Sequence, residues 1–340
     1  MKAKITLFLI AAVLFIAGNI HYTNTPVNQD TINPTVTPTM TPVRTLVLTA
    51  VGDCTFATDS NADKETGFVT YAKNNGYDYF FKNVRSLFSK DDLTLVNFEG
   101  TLSKNGEREE KQFAFRGDPE YVKILTGSSV EAANIANNHS SDYGSISLKD
   151  TRQILEDNGI LTCRGEEDVT VTEINGIRVG LIGINYLNDQ MKTELEGAIQ
   201  KAKDADAELI ILSIHWGIEK ETKPNDEQIE AAHRAIDCGA DIVIGTHPHV
   251  LQGYEKYKGK YILYSLGNFC FGGNNNPADK DTAIFRQTFT IENGEVLDND
   301  EIEIIPCRIS GHSGYNDYQP YIAQDDEAER ILKKIPLIEN

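Results

Sequence analysis

The stretch GADIVIGTHPHVLQ, residues 239–252, sets a β-branched apolar run directly against two histidines separated by one proline. A short run of this kind bounded by turn residues reads as a buried strand. Pro248 restrains the backbone between His247 and His249, so two imidazoles can converge on one point, which suits a metal ion or a phosphate. The fold then has to supply the remaining ligands from elsewhere in the chain.

Four other segments have the same design. TLVLTAVGD ends in Asp53, LTLVNFEG in Glu99, VEAANIANNH in Asn138 and His139, and ELIILSIHWG in His215. Between them run amphipathic stretches, and that alternation is the pattern of a layered α/β domain. In such domains the strand ends gather ligand-binding groups, because the sheet fixes where the loops start. Carboxylate, amide and imidazole donors without a thiolate suit divalent Mn, Fe or Zn. Two ions bridged by a carboxylate, for which Glu99 is placed, would activate water and neutralise a phosphoryl group.

Taken in order, AVGD, VNFEG, ANNHSSDYG, IHWGIEK, GADIVIGTHPHVLQ and YSLGNF resemble the CapA/PgsA-type proteins of bacterial poly-gamma-glutamate capsule synthesis, relatives of the calcineurin-like metallophosphoesterases. The resemblance runs from Leu46 to Phe271. It implies a four-layer α/β/β/α sandwich with the metal site on loops at one end of the sheets. It also implies Asp53, Glu99, Asn138, His215, His247 and His249 as metal ligands and His139 as the acid for the leaving group. Two departures stand out: Cys54 and Thr55 follow Asp53 where the wider group has Asp-x-His, and Glu99 replaces an aspartate. These departures leave one metal site weak, vacant, or filled by a different ligand such as Glu219.

Other residues have smaller roles. Arg116, in FAFRGDP, suits bidentate capture of a phosphate or carboxylate, or a surface ion pair. Asp142 either orients His139 or caps the helix beginning near Ser145. Asn268 follows an apolar strand beside Gly267 and is placed to reach the site. His233 shares a helical face with Ile229 and Ile236 and reads as structural. Asn293-Gly294 marks a hairpin, and the acidic run from Asp325 opens a terminal amphipathic helix.

The chain of 340 residues has a formal charge of −19, which argues against nucleic acid as a partner unless a local basic patch or a metal intervenes. Lys2 and Lys4 precede an apolar run from Ile5 to Ala17, the layout of an export signal. At roughly 20 Å it is short for a bilayer core of ~30 Å, so residues 1–20 read as a signal peptide or an anchor. Residues 21–44, rich in Thr, Pro and Asn, read as a stalk, and 45–340 as the folded domain. Five cysteines without a C-x-x-C pair are expected as buried thiols.

The expected product is an extracytoplasmic, dinuclear-metal hydrolase, secreted or membrane-anchored, acting on a phosphoester or on a linkage in a cell-surface polymer. The competing expectation is a tethered, non-catalytic component that holds a polyanion through bound cations alongside membrane-bound capsule synthesis partners.

Overall fold

The computed structural model describes residues 42–59, 65–298 and 301–339. The expected leader and nearly all of the expected stalk lie outside them, and no helix among the described residues is long and apolar enough to cross a membrane. Two sheets dominate. One contains nine strands, with Arg44–Thr55 at its centre, joined in parallel to Leu93–Glu99, which continues to Ala132–Asn134 and Leu161–Cys163. On the other side of Arg44–Thr55 the long strand Asp281–Glu292 is antiparallel and leads to Ile302–Arg308. The second sheet has six strands; Ile177–Asn185, Leu209–His215, Ile242–Thr246 and Lys260–Leu263 run parallel within it.

Three apolar layers account for the stacking. Leu46, Leu48, Leu93 and Leu95 of the first sheet share a core with Leu181, Ile211, Ile242 and Ile244 of the second, so the sheets pack face to face. Helices Phe68–Asn75, Val122–Thr126 and Ser145–Asp157 cover the outer face of the first sheet through Phe68, Ile124 and Leu155. Leu195–Asp204 and Asp226–Cys238 cover the second through Leu195, Ile199, Ala231 and Ala235. This is the α/β/β/α sandwich expected from the sequence. Each fully buried Leu or Ile in these layers contributes about 1.5–3 kcal/mol.

Side chains alternate along a strand, so the inner face can be followed residue by residue. Leu93 and Leu95 are succeeded on that face by Asn97 and Glu99, and Leu209 and Ile211 by Ser213 and His215. The apolar file turns polar at the C-terminal ends of the parallel strands, where both sheets meet the same rim.

Asp53 reaches that rim by a different route. Leu48, Thr49 and Ala50 stand opposite Leu93, Thr94 and Leu95, but the next registered pair is Asp53 with Asn97. The first strand therefore holds one extra residue, a β-bulge that carries Asp53 to the inner face. Gly52 sits inside the bulge, where a Cβ would collide with the carbonyl oxygen of Gly267, and the Asp53 N–H donates to that same oxygen at 2.9 Å.

The hairpin at Asn293-Gly294 is present, with both residues at positive φ, and Asp325–Leu332 forms the terminal helix. All five cysteines are free thiols, and only Cys238 is less than fully buried. His233 lies in a helix, stacked on Tyr257 and bound to Glu255 at 2.8 Å. Gly52→Ala is expected to lower unfolding stability by about 2 kcal/mol, the usual range for overpacking a tight contact. Urea denaturation checks this, and an unchanged midpoint would show that the bulge does not need glycine.

Candidate metal centre

Five connections place their side chains at the rim, and the geometry there is dense. Ligand atoms of Asp53, Glu99 and His215 all lie within 4.8 Å of one another, and each residue is buried. Asn138 joins them, its Oδ1 2.9 Å from His215 Nε2. Glu99 Oε1 lies 3.4 Å from the same nitrogen without hydrogen-bonding to it. The amide oxygen and the carboxylate thus close on one imidazole nitrogen. Asn138 and His139 come not from a strand end but from the turn that follows the short strand Ala132–Asn134.

His247 and His249 complete the cluster. Both have positive φ, 97° and 58°, flanking Pro248. For residues with a Cβ this is a strained backbone, and such strain persists where the surroundings enforce it. The His247 N–H points at Asp53 Oδ2 at 3.3 Å, and its ring lies 4.7 Å from that of His215. His249 Nδ1 is 3.1 Å from Asp53 Oδ2 and 2.9 Å from Asn268 Oδ1. Asn268 also donates to the His249 carbonyl, so it clamps that histidine and leaves Nε2 as its available nitrogen.

The donor set fits a divalent cation. Two buried candidate ligand atoms, Glu99 Oε1 and His247 Nδ1, have no hydrogen-bond partner among the described residues. Buried polar atoms are rarely left so, because each forfeits its hydration without return. Burial, followed by the charge of Asp53, pushes Glu99 from an ordinary 4.5 up to about 8. Burial and the neighbouring histidines hold His215 well below its usual range, and burial then His249 hold His247 at about 4. Burial also opposes charge on His249, but Glu99 and Asp53 outweigh it and raise that imidazole to about 9. Neutral imidazoles are the form that coordinates Mn, Fe or Zn, and Glu99 would join them on giving up its proton.

The sequence reading missed the residues that hold these ligands. Asn97 donates to Asp53 Oδ1 at 2.8 Å and lies 3.2 Å from His215 Nδ1; its position two residues before Glu99, on the same strand face, was the available signal. Thr246 Oγ1 stands 3.1 Å from His215 Nδ1. Thr55, in place of the histidine of Asp-x-His, donates to Glu99 Oε2 at 3.1 Å, while Cys54 points into the outer apolar layer.

Asp142 does not cap the following helix, whose N-cap Gly144 has no side-chain bond. It accepts from His139 Nδ1 at 2.8 Å, Lys111 Nζ at 2.7 Å and the Phe115 N–H at 2.6 Å. Lys111 also donates to the Asn138 carbonyl, tying that turn to the His139–Asp142 pair. Arg116 is not brought to the centre: its guanidinium covers the Tyr143 ring at 3.9 Å and donates to the Gly106 carbonyl. Glu219 is exposed at the edge of the cavity above the site.

Residues 47–273 match the family described as bacterial capsule synthesis protein PGA_cap. A capsule biosynthesis protein CapA of Bacillus anthracis is 31% identical over 261 residues, covering 69% of this chain and 62% of its own. The PGA biosynthesis protein CapA of Bacillus subtilis is 32% identical over 58% of this chain and 57% of its own. A probable polyglutamine synthesis accessory protein of Mycobacterium tuberculosis is 26% identical over 64% of this chain and 66% of its own. The chain thus spans about three fifths of the length of the first two relatives.

To hold a metal ion, a centre of this kind would have to exchange protons for it. Glu99 favours the metal-free fold when protonated, a contribution fully present below 4.5 and lost as pH rises through about 8. Affinity for Mn²⁺ or Zn²⁺ is therefore expected to rise from pH 6 to 8, about tenfold per unit for each proton displaced. Calorimetry in buffers of different ionisation enthalpy counts those protons; a flat affinity over this range contradicts the assignment.

Proposed function

Because the chain belongs to the bacterial capsule synthesis protein family PGA_cap, we propose that it works outside the cytoplasm in making a poly-gamma-glutamate capsule, as a divalent-metal-dependent hydrolase of a phosphoester or polymer linkage. The observation that carries the reading is the convergence of Glu99 Oε1, Asn138 Oδ1 and His215 Nε2, with a His–Asp pair beside them. The charged leader sequence supports export, by secretion or by membrane anchoring, and so supports contact with membrane-bound capsule synthesis partners.

Asp53, Glu99, Asn138 and His215 would hold one ion, with His247 and His249 available to a second. When bound, such ions supply Lewis acidity toward the scissile group and a water nucleophile at neutral pH. The chain's own residues do the rest. Asp142 accepts the His139 Nδ1–H, which fixes the tautomer with Nε2 free to carry a proton to the leaving group. Lys111 and the Phe115 N–H complete the coordination of Asp142 and keep it from turning away.

Thr55 favours a second reading. With no imidazole at that position, the second ion has one ligand fewer, and cations held here would bridge a −19 protein to a polyanion without cleaving it.

The Mn²⁺-loaded protein assayed on generic phosphodiesters and on poly-gamma-glutamate separates the two. The hydrolase reading predicts turnover that EDTA abolishes and that His139→Ala lowers by about 10²- to 10⁴-fold without loss of bound metal. Metal-dependent polymer retention with no turnover supports the bridging reading instead.

A further inference from the structure

A cavity of about 630 Å³ opens above the ligand cluster, and His139 and His249 form part of its lining. Whatever is attached to a group held at the centre must project into this space. Its most conspicuous lining is aromatic. Phe113 and Phe115 lie parallel with centroids 6.5 Å apart, Phe115 packs 4.6 Å from the His139 ring, and Phe271 packs 5.0 Å from the His249 ring. Phe113 is 50% exposed.

That exposure is built in. Two carboxylates strap down the segment that carries the rings, each by one cation and one backbone N–H. Asp59 accepts from Arg108 and the Ala114 N–H, and Asp142 accepts from Lys111 and the Phe115 N–H. Phe113 is thus kept at the cavity by its neighbours on both sides and has no core of its own to enter. A rigidly presented, half-exposed ring beside a reaction centre is suited to contact a ligand ring by stacking or by edge-to-face packing.

The charges lining the cavity argue against the alternative. Lys220 and Glu219 are opposite in sign, and neither makes a side-chain ion pair or hydrogen bond among the described residues, while Asp279 is already paired with Lys334. Histidines and any bound ions apart, the lining has no surplus of positive charge to accept a run of free carboxylates beyond the centre itself.

We infer that the substrate group flanking the scissile bond is uncharged and ring-bearing and seats against Phe113, Phe115 and Phe271. This rests on the hydrolase reading and narrows it, placing the bond that is cut next to a ring-bearing group and not in the interior of a free polyanion.

Binding can be tested without turnover. The Mn²⁺-loaded full chain is titrated calorimetrically with phenylphosphonate, methylphosphonate and 3-phosphonopropionate. Phenylphosphonate is expected to bind at least about tenfold more tightly than either of the others, a difference well within what one buried ring supplies. Phe113→Ser should remove most of that preference while leaving methylphosphonate affinity and Mn²⁺ content unchanged. Equal affinities, tighter binding of 3-phosphonopropionate, no binding of any probe, or a preference unchanged in Phe113→Ser would each overturn the inference. Turnover of phosphodiesters without the phenyl preference overturns this inference alone. The preference without any turnover overturns the catalytic reading alone.

Discussion

Two carboxylates buried at the rim of a sandwich, with too few fixed positive charges around them, are the constraint to which the site answers. Asp53 and Glu99 are almost wholly shielded from water, and the protein's own nearest compensation is a single charged imidazole, His249. An unpaired buried carboxylate is costly enough that it takes up a proton or a cation. Glu99 in the metal-free protein takes the proton. The neutral His215 and His247 add lone pairs without adding charge, so the cluster could hold a metal ion.

The sheets make this arrangement affordable. The same inner-face file that supplies leucine and isoleucine to the core delivers Asn97, Glu99 and His215 at its end, so the ligands stand on the most rigid part of the molecule. The less regular parts contribute what strands alone cannot. A bulge at Gly52 redirects Asp53, a strained Thr-His-Pro-His turn presents two imidazoles, Lys111 ties the cavity wall to the His139–Asp142 pair, and Arg108 ties it to Asp59.

This division also explains what could be read beforehand. The strands ending in Asp53, Glu99, His215 and His247 were legible because apolar β-branched runs and their polar termini are local features. Asn97 was legible too, by its two-residue spacing from Glu99, and was overlooked. Asp53 was visible as a strand-end carboxylate, but strict alternation puts it on the face opposite Ala50, and only the inserted residue corrects this. Lys111 gave no signal: within a polar run it looks like any solvated lysine until the fold brings Asp142 and the Asn138 carbonyl within 2.7 Å. Arg116 erred the other way, a residue suited to anions whose guanidinium is taken by Tyr143 and the Gly106 carbonyl. Its role depended on chain segments with no sequence cue linking them.

The most direct measurement is anomalous diffraction at the manganese edge from crystals grown with Mn²⁺. The account predicts a peak at about 2.0–2.3 Å from an oxygen of Asp53 or Glu99 and from His215 Nε2, with Asn138 turned toward the same ion. Crystals saturated with Mn²⁺ that show no peak among these side chains would contradict it.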